Sequence, residues 1–224
     1  MDGVRSSRFG PASWLVEFSK TIGPESLARC RGLLHCFDEH LLEGLREVTP
    51  GYCSLLLEFD SPAQASEQED NLNNLVRSAR LLPPEQAPLH EIPVVYDGPD
   101  MEEFAHRKAL SVSDVIELHA APIYSVFLIG FSPGFPYLGP LDPRLHEPRM
   151  DAPRARVPAG SVAIGGEHTG IYSIASPGGW WLIGRTSTEL FSAANARGEG
   201  NAQAFLLRQG DRVNFRVASS PIPR

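Results

Sequence analysis

The sequence predicts an α+β protein with two domains, one at residues 1–88 and one at 89–224. Three observations support this prediction. The 224 residues exceed the usual size of a single domain. The chain up to residue 96 alternates between strand-like and helix-like patterns, whereas the later part is rich in glycine and proline with short apolar runs. Hydrophobic residues make up 42% of the chain and charged residues 21%, which is typical of a protein that buries a core.

The first domain begins with a strand at 13–18, where apolar and polar residues alternate. Between Pro24 and Glu43 the apolar residues recur every three or four positions, which predicts an amphipathic helix with proline in its first turn. Strands are then predicted at 45–49 and 53–60, because these apolar runs are short and a Pro-Gly turn separates them.

A second helix follows the polar stretch 61–71, since apolar residues keep helical spacing from Leu72 to Ala79. Another strand is predicted from Ile92 to Tyr96. The resulting order, β-α-β-β-α-β, is the ferredoxin-like pattern, in which two helices cover one face of a sheet.

The second domain begins with two short helices, at 100–109 and 113–120, the latter capped by Ser111 or Ser113. Short strands separated by turn residues then predict a barrel or a sandwich. These strands are expected at 122–130, 161–165, 170–174, 180–184, 204–208 and 212–218.

Composition excludes several classes of function. The formal net charge of −7 argues against non-specific binding to nucleic acid or to anionic membranes. The most apolar stretch, Tyr124 to Phe131, is too short to span a bilayer, and no apolar segment follows the N-terminal basic residues as it would in a signal peptide. Cys30, Cys36 and Cys53 have no CxxC spacing, so we expect free thiols in a reducing cytoplasm.

The segment 131–139, FSPGFPYLG, is the first candidate for a binding site. Its two prolines and two glycines exclude a helix or an interior strand and predict a stiff loop that holds aromatic side chains outward. Two interpretations of the segment stay open: a ligand-binding loop and a structural turn that plugs the barrel.

Arginines and glycines follow this loop. The run 148–161 contains Arg149, Arg154 and Arg156, and prolines beside them favour a preorganised anion contact. Arg154 is the preferred anion ligand, whereas Arg156 is expected to be a solvated surface residue. The glycine pairs at 165–166 and 178–179 either bring backbone N–H groups to an anion or mark hairpin turns.

The remaining candidates are a tryptophan pair, a histidine and two serines. Trp180 and Trp181 alternate on a strand, so one is expected in the core and the other in a groove or against a partner. His119 is either a proton-transfer group or a core residue. The histidines lack metal-ligand spacing, so no metal is predicted. Neither Ser161 nor Ser176 lies in a GxSxG elbow, which argues against an acyl-enzyme serine.

Several runs together resemble one family. These runs are IPVVYDG (92–98), IGFSPGFPYLG (129–139), APRARVPAGSVAIGG (152–166), TGIY (169–172), SPGGW (176–180) and IGRT (183–186). They resemble the family of 5-oxoprolinase B subunits, also labelled allophanate hydrolase subunit 1 or KipI-like. The sequence departs from that pattern at His168, Ser173 and Ser187, where the family usually has glutamine, proline and proline.

The resemblance implies a ferredoxin-like domain followed by a cyclophilin-like β-barrel of the carboxyltransferase subdomain C/D type. It implies two partners, a larger barrel protein (the 5-oxoprolinase C subunit, or KipA-like) and a third subunit of the LamB/YcsF type. The complex would open 5-oxoproline to glutamate with hydrolysis of ATP, and which subunit binds ATP stays open. The alternatives are a KipI-like inhibitor of a sensor histidine kinase and, by fold analogy alone, a prolyl isomerase.

Within this resemblance we expect a shared site between subunits. The expected catalytic residues are His119 for proton transfer, Arg154 and Arg185 for anion contact, and Ser161 for polar orientation. The expected substrate-binding residues are Phe135, Tyr137, Gly165, Gly166, Gly178, Gly179 and Trp180. We also expect the loop aromatics and the tryptophan pair to form an exposed surface for a partner subunit.

Overall fold

The computed structural model describes residues 3–40, 42–196 and 203–219. The chain forms two compact units, Met1–Ala87 and Pro88–Arg224. Each unit has its own principal sheet and its own buried apolar cluster. That the two units fold independently as the domains 1–88 and 89–224 stays a prediction.

The first unit is an antiparallel sheet with helices. Its described strands are β1 (Arg5–Gly10), β2 (Ser13–Glu17), β3 (Leu45–Pro50) and β4 (Ser54–Phe59). Its helices are α1 (Pro24–Glu39), α2 (Pro62–Glu67), α3 (Glu69–Ser78) and a 3-10 turn at Pro84–Gln86. The strand order is β1-β2-β4-β3.

Alternating apolar residues on the strands form the core with one stripe of each long helix. Val16, Leu55 and Leu57 are fully buried and cluster with residues of α1 and α3, such as Leu33 and Leu72. The helices and strands that periodicity predicts between residues 13 and 79 are present, but α1 ends at Glu39 rather than at Glu43. The polar stretch 61–71 contains α2 and the start of α3, which its lack of an apolar pattern did not predict. Cys30, Cys36 and Cys53 all lie within the described residues and form no disulfide.

The ferredoxin-like order is not confirmed. The strand predicted at 92–96 does not close this sheet, because residues 89–94 form a strand of the second unit. The position beside β2 is taken instead by β1, which reaches it through a tight hairpin. Strand β1 was not predicted, because this edge strand has no alternating apolar pattern and no fully buried residue.

The second unit contains a curled, mainly antiparallel sheet. Its described strands are β5 (Leu89–Val94), β6 (Ile123–Ile129), β7 (Pro136–Gly139), β8 (Arg154–Val157), β9 (Ser161–Gly165), β10 (His168–Ile171), β11 (Ser176–Gly178), β12 (Trp181–Arg185) and β13 (Arg212–Val217). Seven of them follow the order β12-β9-β10-β7-β6-β13-β5, and β8 and β11 form a separate pair. Its helices are α4 (Met101–Arg107), α5 (Val112–Ala120) and a 3-10 turn at Pro143–Leu145.

The sheet curls back on itself, because the chain just after β5 bonds to the opposite edge strand. Val95 and Arg185 exchange both backbone hydrogen bonds, at 2.9 and 2.8 Å. The α+β class is therefore confirmed, and the predicted barrel or sandwich of the second unit is a curled half-barrel sheet. The two predicted helices are also present, and Ser111 caps α5 in a reciprocal pair with Asp114.

Two expectations about strands are wrong. The segment 131–139 contains an interior strand, β7, between β6 and β10. Its proline is tolerated because Pro136 is the first residue of the strand, where a missing N–H breaks no interior ladder bond. No strand spans 204–208; its described residues make only an isolated bridge from Phe205 to Phe191.

None of the described helices combines the length and the apolar character needed to cross a membrane.

Candidate functional site

An aromatic cavity of about 320 Å³ lies in the second unit. The segment before and within β7, the residues around Met150, and the β11–β12 connection line it. Its aromatic wall consists of Phe131, Phe135, Tyr137, Tyr172 and Trp180. Three of the predicted binding residues, Phe135, Tyr137 and Trp180, are thus brought together, and Gly178 and Gly179 also line the cavity.

Phe135 organises the wall. Its ring packs edge-to-face against Tyr137, Tyr172 and Trp180, with centroid distances of 5.1, 5.2 and 5.3 Å. Such pairs contribute about 0.5–1.5 kcal/mol each beyond simple burial. Because Phe135 and Tyr172 are almost completely buried, this part of the wall is fixed in place. Burial also raises the pKa of Tyr172, which keeps its hydroxyl neutral.

Two of the predicted glycines make room for these rings. A Cβ added at Gly165 would lie 2.5 Å from Cδ2 of Trp180, and one at Gly178 would lie 2.0 Å from the Tyr172 hydroxyl oxygen. Gly166 has a positive φ of 65° in the turn after β9, and its N–H donates to the carbonyl of Glu147 at 2.7 Å. That N–H is therefore not available to an anion, and neither Gly165 nor Gly166 lines the cavity.

We expect Gly165→Ala to destabilise the protein by about 1–3 kcal/mol, because the new methyl group would overpack the Trp180 ring. The matched control is Gly130→Ala, whose Cβ would meet only Leu128 atoms at 3.9 Å. Thermal melting of both variants checks this. Equal melting temperatures for the two variants would contradict the packing role of Gly165.

Arg149 supplies the positive charge at the cavity. It is exposed, it lines the cavity, and its guanidinium carbon lies 5.7 Å above the Trp180 ring centroid. Among the described residues no carboxylate forms an ion pair with it. An exposed guanidinium on an aromatic face suits a bidentate contact to a carboxylate.

Arg154, the preferred anion ligand from the sequence, has a different environment. Its guanidinium forms an ion pair with Asp100, which is 5% exposed and also accepts the backbone N–H of Leu182 at 2.7 Å. A second guanidinium nitrogen lies 3.2 Å from Sδ of Met150. The charge of Arg154 is already matched, so the geometry supports a structural role rather than the predicted anion contact.

Ser161 and Arg185 line a second groove of about 780 Å³. Arg185 makes a bidentate pair with Asp97, with N–O distances of 2.8 to 3.0 Å, and this carboxylate raises the pKa of Arg185. The Ser161 hydroxyl donates to the carbonyl of Pro158 at 2.9 Å. Arg154 lines neither this groove nor the aromatic cavity, so the four predicted catalytic residues do not converge.

His119 lies in the core and lines neither cavity. It is fully buried, and its ring stacks on Phe215 with a centroid distance of 4.7 Å. The Thr169 hydroxyl donates to the carbonyl of Ala163, so it accepts from Nε2–H of His119 at 2.7 Å. Because burial lowers the pKa of His119 and keeps the ring neutral, Nδ1 carries no proton and accepts from the Tyr96 hydroxyl at 2.8 Å. This arrangement holds a neutral imidazole as a structural connector.

The buried His119 predicts a pH dependence of stability. Burial lowers its pKa in the folded protein from 6.5 to about 3. Between these values the unfolded chain binds a proton that the folded chain does not, so the contribution of His119 is complete above about pH 6.5 and falls as pH decreases. Its slope is at most about 1.4 kcal/mol per pH unit.

We therefore expect the stability advantage of wild type over His119→Gln to shrink between pH 7 and pH 4.5. Urea denaturation of both proteins across that range checks this. A difference that stays constant with pH would contradict a neutral buried histidine.

Both tryptophans are buried, which corrects the expectation of an exposed tryptophan surface. Trp180 faces the aromatic cavity, and Trp181 packs in the main core, as the alternation on the strand predicts. Phe131 is the one exposed aromatic residue of the 131–139 segment. Tyr172 and Met150 at the cavity were missed. Both lie in runs that stand out in the sequence, TGIY and PRM. An argument based on charge, however, assigns no role to these uncharged side chains.

The chain matches the family model described as carboxyltransferase domain, subdomain C and D, over residues 4–199. It is 43% identical over 173 residues to the 5-oxoprolinase B subunit of Escherichia coli O157:H7, covering 75% of this chain and 76% of that protein. It is 34% identical over 230 aligned residues to the 5-oxoprolinase B subunit of Bacillus subtilis strain 168, covering 93% and 90%.

A solved structure, that of TTHA0988, has the same fold with a TM-score of 0.82 and 38% identity. The match covers 95% of this chain and 41% of that one, so this chain spans about two fifths of the longer protein. These matches confirm the resemblance that the sequence runs carry. The chain belongs to the carboxyltransferase subdomain C and D family, whose members include the 5-oxoprolinase B subunits.

Proposed function

We propose that this chain is a subunit of an ATP-dependent 5-oxoprolinase and that its aromatic cavity, with Arg149 at the edge, binds 5-oxoproline. Relatives named as 5-oxoprolinase B subunits support a role in a hydrolase complex of several subunits. The observation that carries the specific proposal is a small cavity in which an aromatic wall lies beside Arg149, an arginine that no carboxylate of the described residues neutralises.

The chemistry of 5-oxoproline suits this arrangement. The molecule is a flat five-membered lactam with one carboxylate. Tyr137 and Trp180 offer apolar faces to the ring methylenes, and Arg149 offers a planar fork to the carboxylate. The cavity volume lies at the lower end of the range for small-molecule sites, about 300–1,000 Å³.

The charges that line the two described cavities do not favour ATP. A five-membered lactam is unstrained and resonance-stabilised, so its opening needs coupling to a favourable reaction. A polyphosphate needs several positive charges, yet the larger groove contains Asp97 and Glu189 against one arginine, Arg185, which is already paired. We therefore propose that the ATP site lies on a partner subunit.

The larger groove is then a better candidate than the aromatic cavity for a site shared between subunits. The anion contact predicted for Arg185 is not kept, because Asp97 already pairs with its guanidinium. Ser161 also lines the groove, and its predicted role in polar orientation remains part of the proposal. The roles predicted for His119 and Arg154 do not, because the first is fully buried and the second is neutralised by Asp100. The proposed partners are the larger barrel subunit and the LamB/YcsF-type subunit.

Reconstitution tests the proposal. The three subunits are co-expressed, and release of glutamate from 5-oxoproline is measured with and without ATP. We expect release only when ATP and all three subunits are present. If the complete mixture releases no glutamate and the chain instead inhibits autophosphorylation of a sensor histidine kinase from the same cell, the kinase-inhibitor alternative replaces this one.

A further inference from the structure

Phe131 has an unusual backbone conformation. Its φ is 68°, a region that bulky non-glycine residues rarely occupy. The N–H of Ser132 donates to the carbonyl of Gly130 at 2.8 Å, which closes a three-residue turn centred on Phe131. A turn of this kind with a positive central φ is the rare, strained γ-turn.

Packing within the chain does not account for a phenylalanine at this position. The residue is 64% exposed. Its closest ring neighbour is Phe135, in an edge-to-face contact with a centroid distance of 5.6 Å. Glycine would adopt the same backbone without strain. A strained residue whose ring gains little from burial is a candidate for function, because strain of this kind concentrates at ligand sites.

The exposed ring lies at the aromatic cavity, which it lines together with Trp180 and Arg149. The Phe135 ring is fixed by Tyr172 and Trp180, so Phe131 adds an accessible face to a rigid wall. The surrounding turn is also fixed, because the N–H of Phe135 donates to Ser132 and that of Gly130 donates to Phe135, both at 3.1 Å. The ring is therefore held where a ligand in the cavity would meet it.

We propose that Phe131 is a specificity-determining residue that packs against the flat ring of a small cyclic carboxylic acid in the aromatic cavity. This inference rests on the proposed function and assigns Phe131 the discrimination between lactam and open-chain product. The lactam has an uncharged, flat face, and moving this face out of water costs little free energy. Glutamate carries an ammonium and two carboxylates, whose hydration opposes burial against an aromatic ring.

The test uses the reconstituted complex with Phe131→Ala, Phe131→Gly and a matched control, Phe9→Ala. Phe9 is 66% exposed but lies on β1 of the first unit. We expect both Phe131 variants to raise KM for 5-oxoproline about tenfold or more with kcat within about twofold, while inhibition by glutamate changes little. Phe131→Gly should melt about 2–4 °C above Phe131→Ala, because only glycine relieves the positive φ.

The outcomes separate the two proposals. An unchanged KM in an active Phe131→Ala complex overturns the specificity role and leaves the proposed function intact. Loss of Phe131→Ala from the complex on gel filtration also overturns it, because the ring then serves a partner interface. Absence of 5-oxoproline turnover in the wild-type complex overturns the proposed function and this inference with it.

Discussion

Replacing Arg149 with alanine is expected to lower kcat/KM for 5-oxoproline by about 30- to 1,000-fold. Arg149 is the one cation at the described aromatic cavity that no carboxylate neutralises. Losing a charged, bidentate contact to the substrate carboxylate costs about 2–4 kcal/mol, which corresponds to that loss of rate. Arg149→Lys should recover only part of it, because an ammonium keeps the charge but not the planar fork.

The matched control is Arg156→Ala, which removes an exposed arginine of the same segment that does not line the cavity. Steady-state kinetics of ATP-dependent glutamate release by the reconstituted complex compare the three variants. If Arg149→Ala keeps the wild-type kcat/KM, Arg149 does not bind the substrate carboxylate. An equal loss in Arg156→Ala would indicate a general effect of charge instead.

Replacing Arg154 with alanine is expected to destabilise the protein by about 3–5 kcal/mol, because it leaves the buried Asp100 carboxylate without its cation. The Leu182 N–H would still donate to Asp100, but one neutral donor does not balance a buried charge. For a chain of this size the loss corresponds to a fall in melting temperature of about 6–20 °C.

The double variant Asp100→Asn with Arg154→Ala is the control, since a neutral amide removes the buried charge. It should be more stable than Arg154→Ala alone. Calorimetry or circular dichroism melting of the purified chain compares the two. If Arg154→Ala melts like wild type but abolishes turnover in the complex, Arg154 is an anion ligand after all and the structural assignment is wrong.

Much of the fold could be predicted because most elements bury an apolar stripe or an apolar face. The helix at Pro24–Glu39 and the strand at Ser54–Phe59 follow directly from spacing. The strand at Arg5–Gly10 could not be found, because an edge strand without a buried face has no periodic signal. The partner of the strand at Leu89–Val94 could not be found either, since pairing with Arg212–Val217 depends on contacts more than 100 residues apart.

The aromatic residues of the candidate site could be predicted from the sequence, but the arginine that supplies its positive charge could not. The aromatic residues Phe135, Tyr137 and Trp180 converge as expected, because rings and glycines cluster in a few short runs. The choice between Arg149 and Arg154 depends on Asp100, which lies 54 residues before Arg154 and whose approach no local pattern indicates. Burial of His119 likewise depends on Phe215 from a distant strand.

The binding site proposed for 5-oxoproline is tested most directly by the crystal structure of the reconstituted complex with this ligand bound. We predict that the lactam ring lies in the aromatic cavity between Phe131 and Trp180, with its carboxylate in hydrogen-bond contact with the Arg149 guanidinium. Electron density for 5-oxoproline in the groove of Ser161 and Arg185, or on another subunit with the aromatic cavity empty, would contradict this prediction.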